Sequence, residues 1–324
     1  MLDGLRGVAA LLVVIQHALE KAWPGAWLLH SCNLGRVGVL LFFLISGYVL
    51  PYSLRGERPL KRFGISRVFR LLPALWLAIA LELLLKGWQN PATVLANMLM
   101  IAGPLGLQAL SGVYWTLTIE LLLYLYCAAL TFAGLLHRPH VSAIFGLSLG
   151  LCALVTGTEL LSFPAYLLLG LLVRRAHDGD ARALWWAGIL LAVLVAAGLR
   201  IAIGLNWDPD FPPMARATGT LFPLIAFLTC IRTSRTTPRW LIHMGAISYS
   251  MYLFQDVGLI GLASLLPVLP AAYFVGVLVI TIAIAAVVHR LVEVPFIALG
   301  RRLAARPAHG NAPQSLVATP TSLS

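Results

Sequence analysis

The sequence predicts an all-α, polytopic membrane helix bundle with about ten transmembrane helices and one re-entrant or interfacial segment. Three observations predict it. Of 324 residues, 60% are hydrophobic and only 11% charged, a balance that suits a bilayer as solvent rather than water. The apolar residues come in runs near the length that crosses the hydrocarbon core as a helix, where each backbone polar group must be satisfied inside the segment. The Lys and Arg residues fall between these runs and do not gather on one soluble face.

In chain order, Leu5 to Lys21 is the first span, expected to stay uncleaved because it lacks the short apolar core and small-residue cleavage site of a secretory leader. Val37 to Leu54 follows and stops at a basic stretch, and Val68 to Leu85 begins after it. Val113 to Leu136, Val141 to Gly157, Leu160 to Leu172, Leu184 to Gly204, Thr218 to Ile231, Met244 to Leu266 and Ala271 to Leu299 complete the set. Leu160 to Leu172 and Thr218 to Ile231 are short for a crossing. Ala92 to Leu110 is read as dipping without crossing. Only then do Arg55/Arg58/Lys61/Arg62/Arg67/Arg70, Arg174/Arg175/Arg182, Arg232/Arg235/Arg239 and Arg301/Arg302/Arg306 share the cytoplasmic side, with both chain ends. Gly103-Pro104 supplies its break. Residues 1–300 form the membrane domain and 301–324, rich in Pro, Ala, Ser and Thr from Pro307 onward, a disordered cytoplasmic tail.

The formal charge of +11 orients helices and suits an anionic substrate; with no soluble domain to display a basic face, nucleic acid is not a partner. Cys32, Cys127, Cys152 and Cys230 lie in separate segments with no metal-ligand spacing, so neither a disulfide framework nor a metal site is expected.

Candidate chemistry centres on Arg6 and His17. Eleven residues separate them, close to three helical turns, so both return to one face about 16 Å apart along the axis. Imidazole suits proton exchange near neutral pH, as general base toward a hydroxyl, while a hydrogen-bonded core histidine is the plainer reading. Arg6 alone satisfies the positive-inside rule and can pair with Asp3. The spacing argues for more: an acyl-coenzyme A carries phosphates at one end and a thioester at the other, joined by a pantetheine arm of comparable length.

Gly38 to Gly47 reads GVLLFFLISG, in which Phe42, Phe43, Ser46 and Gly47 serve either close helix packing or a tunnel wall with a backbone gap at Gly47. In RVFRLLP, Arg67 and Arg70 share a helix face before Pro73, placed for a lipid headgroup, for orientation, or for a pyrophosphate. Thr116 and Glu120 share a face in the segment Tyr114 to Glu120. Trp115 beside them reads as an interface anchor, and a carboxylate at the depth of Glu120 needs a partner or a wet cavity. Glu120 is expected to orient His17 or to help bind an acceptor hydroxyl. SYSMYL at 248–253 comes late in the chain, Glu293-Val294-Pro295-Phe296 closes the last helix, and Glu82, Glu159 and Asp256 rank below Glu120.

In this order the motifs resemble those of the acyltransferase type 3 family of integral-membrane acyltransferases, over nearly the whole chain up to about Phe296. LDGLRGVAALLVVIQH is similar to the family's Arg-x10-His signature at Arg6 and His17, FFLISG to its second-helix motif, and RVFRLLP to its Arg-x-x-Arg-x-x-Pro segment. The chain departs where the family often writes WSLxxE, having Trp115-Thr116-Leu117-Thr118-Ile119-Glu120. It departs again after SYSxYL, where a His is common and Phe254-Gln255-Asp256 stands. The resemblance implies site roles for Arg6, His17, Phe42, Phe43, Ser46, Gly47, Arg67, Arg70, Trp115 and Glu120. It implies a multi-pass O-acyltransferase of the inner (cytoplasmic) membrane, surrounded by lipid, with no bound cofactor. The donor is acyl-coenzyme A, foremost acetyl-coenzyme A, and the acceptor is a hydroxyl of a cell-surface glycan or small polar molecule. His17 is then the base with Glu120 in support, and Arg6, Arg67 and Arg70 hold the donor's phosphates. Two other classes stand beside this one: a proton-coupled secondary transporter using His17, Glu120 and Asp256, which no internal repeat supports, and a catalytically silent member that binds glycans or assembles other envelope proteins.

Overall fold

A computed structural model describes residues 1–54, 56–203, 212–233 and 237–305. Arg55, Arg235, Arg306 and the tail expected from Pro307 onward lie outside the described residues. The regular elements among them are helices: α1 (Leu2–Ala22), α2 (Trp27–Ser31), α3 (Leu34–Ser53), α4 (Pro59–Lys86), α5 (Pro91–Met98), α6 (Trp115–Phe132), α7 (Pro139–Thr156), α8 (Glu159–His177), α9 (Ala181–Ile203), α10 (Pro213–Arg232), α11 (Arg239–Ala246), α12 (Ser248–Gly261), α13 (Pro270–Val288) and α14 (Val294–Ala305). Proline opens α4, α5, α7, α10 and α13, where its missing N–H costs nothing and its fixed φ suits the first turn. The start of α3 is capped from two places. Asn33 Oδ1 accepts the Arg36 N–H at 2.8 Å, and Gln16 Oε1 on α1 accepts the Leu34 N–H at 2.9 Å.

Eight described helices are long and apolar enough to cross a bilayer: α1, α3, α4, α6, α7, α9, α10 and the continuous run Pro270–Ala305. The other two spans read from the sequence correspond to α8 and to α11 with α12. α8 sits inside the bundle against α3, α7 and α9, with eleven of its nineteen residues buried, so it needs no lipid-facing stripe and carries Arg174 and Arg175 near its end. Met244 to Leu266 is not one helix but two, parted at Ile247, the second only 14 residues long.

The stretch after α4 returns to the end it left. Lys86 Nζ donates to the Leu110 carbonyl at 2.6 Å, and the Tyr114 hydroxyl donates to Glu82 at 3.0 Å. α5 has eight residues, about 12 Å of rise, too little to cross. Its break falls at Leu99–Met100, with Met100 in the left-handed region (φ +60°), and not at Gly103-Pro104. The Asn97 side chain explains the difference: it donates to the carbonyls of Thr93 and Gln108 and accepts the Leu110 N–H, folding the strip back on itself. The last helix likewise does not close at Pro295. A π turn over His289–Glu293 widens the coil where the proline has no N–H to give, and the helix runs on to Ala305.

Cross-helix contacts gather the basic clusters at one end. The beginning of α1 lies on α11 through Gly7 and Gly245, α14 meets the first half of α4 through Gly300 and Phe69, and Arg174 at the end of α8 lies over Tyr52 at the end of α3. At the opposite end stand Glu20, Arg36, Lys86 and Glu159.

The α3–α8 crossing is a backbone-to-backbone contact. A Cβ on Gly47 would fall on the Leu167 carbonyl, and one on Gly170 on the Leu44 carbonyl. Of the two readings of Gly47, this is close helix packing. Gly47→Ala should therefore push two central helices apart and cost about 1–3 kcal/mol. Thermal unfolding in detergent checks this. Gly103→Ala, whose Cβ would meet nothing within 4 Å, should leave the midpoint where it is.

Candidate active site

Three cavities follow one another through the bundle. The inner one, at the basic end, is bounded by Arg6, Ser46, Arg67, Arg70, Glu120, Tyr124 and Tyr249. The middle one shares Arg6, Ser46, Glu120 and Tyr249 with it and adds Phe42, Phe43, Thr116 and Tyr252. The outer one shares Val39 and Tyr252 with the middle one and adds Gln16, His17, Glu20, Arg36, Trp115 and Glu159. Arg6 and His17 thus face different cavities of one series, three turns apart on α1. The inner and middle cavities are narrow, about 40 and 50 Å³, and the outer one is roomy at about 420 Å³.

Three guanidiniums and a single carboxylate line the inner cavity, a surplus of positive charge that suits phosphate oxygens. Arg67 lies beside the rings of Phe63 and Tyr124, 5.1 and 5.0 Å from their centroids, and donates to Ser53 Oγ at 2.6 Å. Among the described residues Arg6 forms no ion pair with Asp3, so its charge is not spent on the neighbour that sequence offered. Glu120 accepts a short hydrogen bond from the Tyr124 hydroxyl and one at 3.4 Å from Ser46. It borders the inner and middle cavities, and the expectation that it orients the His17 ring is not what the structure shows.

The ring is oriented by Gln255. His17 Nδ1 lies 2.8 Å from Gln255 Oε1, and Gln255 Nε2 donates to the Tyr252 carbonyl at 2.9 Å. A carbonyl only accepts, so the amide nitrogen must face Tyr252 and the amide oxygen the imidazole. Nδ1 therefore carries the proton and donates it, and in the neutral ring the lone pair is on Nε2, the tautomer a general base at that atom requires. Gln255 is completely buried, so this arrangement is not shared with solvent. Lys86 ties the next residue down by binding Glu82 at 2.9 Å and Asp256 at 3.3 Å, which fixes α12 against α4.

The aromatic residues form the wall between cavities. Phe42 meets Tyr252 edge-on at 5.6 Å, and Phe43 meets Trp115 at 6.5 Å and Phe163 at 5.8 Å. Trp115 is packed 5.0 Å from Phe163 within this cluster and borders the outer cavity, not serving merely as an interface anchor. The Thr116 hydroxyl pairs with that of Tyr252 at 2.8 Å.

Sequence reasoning missed Gln255, Gln16 and Arg36. Gln255 stands in the stretch after SYSMYL already marked as a departure from the family pattern. Arg36 had a signal of its own: it opens α3 at the end opposite the other arginine clusters, against the charge bias, and the structure buries it and pairs it with half-buried Glu159. Among the described residues no group of three His, Cys, Asp or Glu side chains is placed to hold a metal ion.

Comparison with known proteins agrees with this architecture. The family model described as an acyltransferase domain matches residues 1–290. The chain is 30% identical to the Komagataeibacter xylinus protein named "Putative membrane-bound transacylase BcsY", over 90% of this chain and 81% of that one. It is 36% identical to acyltransferase MdmB of Streptomyces mycarofaciens over 22% of this chain and 20% of that protein. A match of 42% identity to "Putative O-acetyltransferase SACOL0978" of Staphylococcus aureus (strain COL) covers 22% of this chain and 12% of the other. No solved structure matches the chain. With the family match running through all but the last helix of an all-helical membrane bundle, the chain belongs to the acyltransferase type 3 family and is an integral-membrane acyltransferase.

Proposed function

We propose that this acyltransferase takes an acyl group, foremost acetyl, from cytoplasmic acyl-coenzyme A and transfers it to a hydroxyl of a cell-surface glycan or a small polar acceptor. The observation that carries the reading is the series of cavities with guanidiniums at one end and, at the other, an imidazole whose Nδ1 is held by Gln255. The basic end is cytoplasmic by the positive-inside rule, which puts the beginning of α1 and the end of α14 on that side of the inner membrane. Arg6, Arg67 and Arg70 bind the donor's phosphates. The passage beside Phe42, Phe43 and Ser46 is too narrow for a nucleotide, so only the pantetheine arm enters it. The thioester then lies toward Val39 and Tyr252, where the middle and outer cavities meet.

His17 Nε2 removes the acceptor's hydroxyl proton as the oxygen attacks the thioester carbon. The C–S bond breaks, and the imidazolium returns the proton to the departing thiolate, leaving an ester and free coenzyme A. Gln255 Oε1 accepts the Nδ1 hydrogen throughout, holding the ring in one tautomer. Glu120, bound to Tyr124 beside Arg6, offsets part of the arginine charge when no donor is present.

Gln255→Leu should leave the ring unguided and lower kcat about tenfold or more. Gln255→Glu should keep the ring in place and favour the imidazolium, so the unprotonated base is reached only at higher pH. The acidic limb of the kcat/KM profile should then move up by about one pH unit. A pH–rate series on the two variants reads both effects.

The test of the proposal is coenzyme A release from acetyl-coenzyme A by the purified protein in liposomes, with and without acceptor. Acceptor-dependent release supports it. Proton-coupled solute uptake with no acyl donor present would replace it by the transporter reading.

A further inference from the structure

The outer cavity has its own electrostatics. Its one arginine, Arg36, is committed to Glu159 and donates to Thr220 at 3.2 Å. The helix ends that open there are served as well: Asn33 and Gln16 accept the first N–H groups of α3, and Glu159 stands in the first turn of α8. What remains is Glu20, which accepts from Gln16 Nε2 at 2.7 Å; the other basic group on this wall is the His17 imidazole, which enters the proposed reaction unprotonated and offers Glu20 no counter-charge at that stage. The wall adds the rings of Trp115 and Tyr252, flat apolar faces of the kind that lie against the C–H face of a pyranose. Carboxylate and amide oxygens nearby accept from hydroxyl groups. The volume, about 420 Å³, is that of a small-ligand pocket.

We infer that this cavity is the acceptor site and that it selects uncharged sugars over anionic ones, an inference that rests on the acyltransferase reading. An acidic sugar would bring its carboxylate against Glu20 with no counter-ion for it, whereas a neutral one presents hydroxyls that Glu20 can bind. The inner cavity has the opposite bias, so the two substrates of one reaction are sorted by charge at the two ends.

The experiment uses methyl β-glucoside and methyl β-glucuronide, which differ only in the charged group. Binding of each to full-length His17→Ala protein, with no acyl donor present, should favour the glucoside by at least about tenfold at low salt. The gap should shrink as salt is added. Adding Glu20→Gln, which keeps the shape and the acceptor oxygen, should close it to within about threefold. Equal affinity, preference for the glucuronide, no binding of either, or a gap indifferent to both salt and Glu20→Gln overturns the inference. Product mass from wild-type protein with acetyl-coenzyme A is read in parallel. Selective binding of the glucoside with no acetylated product would leave the charge selection standing and remove the acyl-transfer reading.

Discussion

His17→Ala should lower acyl transfer by about 10²- to 10⁴-fold while the protein remains folded, membrane-inserted and able to bind acyl-coenzyme A. His17 is only half-buried and beside the largest of the three cavities, so truncating it opens space next to existing space and leaves no collapsed core. The loss then belongs to proton transfer and not to stability, and it should appear in kcat. Acceptor-dependent release of coenzyme A checks the rate, and the thermal midpoint in detergent checks the fold. Substantial transfer by the variant would remove His17 as base.

Arg6→Ala should raise the KM for acyl-coenzyme A by about 10- to 100-fold, the worth of one or two charge-assisted hydrogen bonds, and change kcat much less. Arg6 is the one member of the inner cluster on α1, and it borders the middle cavity as well, so in the proposed reading it would meet the donor where the phosphates end and the arm begins. Arg6→Lys should recover only part of the affinity, because an ammonium keeps the charge and loses the fork. The wild-type KM should rise with salt and that of Arg6→Ala less steeply. Donor titrations at two ionic strengths measure all three, and an unchanged KM in Arg6→Ala would count against the phosphate clamp.

The bundle was legible because hydrocarbon imposes length and apolarity on each crossing segment separately, so α1, α3, α4 and α6 can be found one at a time. Arg6 and His17 were legible for a similar reason: both lie on one helix, and helical pitch fixes their spacing without any knowledge of partners. Leu160 to Leu172 read as short for a crossing because Glu159 and Arg174/Arg175 bound its apolar run; that α8 is surrounded largely by protein is a property of the packed bundle that its own residues do not show. The Gln255–His17 bond joins residues 238 positions apart, and nothing local to either predicts it. Expecting Glu120 to hold the ring assumed that the nearest deep carboxylate in the motif set would be its partner. The helices place that carboxylate beside Arg6 and Tyr124. Met100, where α5 breaks, has no turn residue to announce it, since the turn is held by the side chain of Asn97.

The most direct measurement is a structure of the protein with a non-hydrolysable acyl-coenzyme A analogue in which the thioester sulfur is replaced by a methylene. The diphosphate should lie within hydrogen-bond reach of Arg6, Arg67 and Arg70, the arm beside Phe42 and Ser46, and the acyl carbonyl near His17 Nε2 with Nδ1 still on Gln255. A nucleotide bound at another face of the bundle, with the imidazole directed away from the acyl group, would contradict this mechanism.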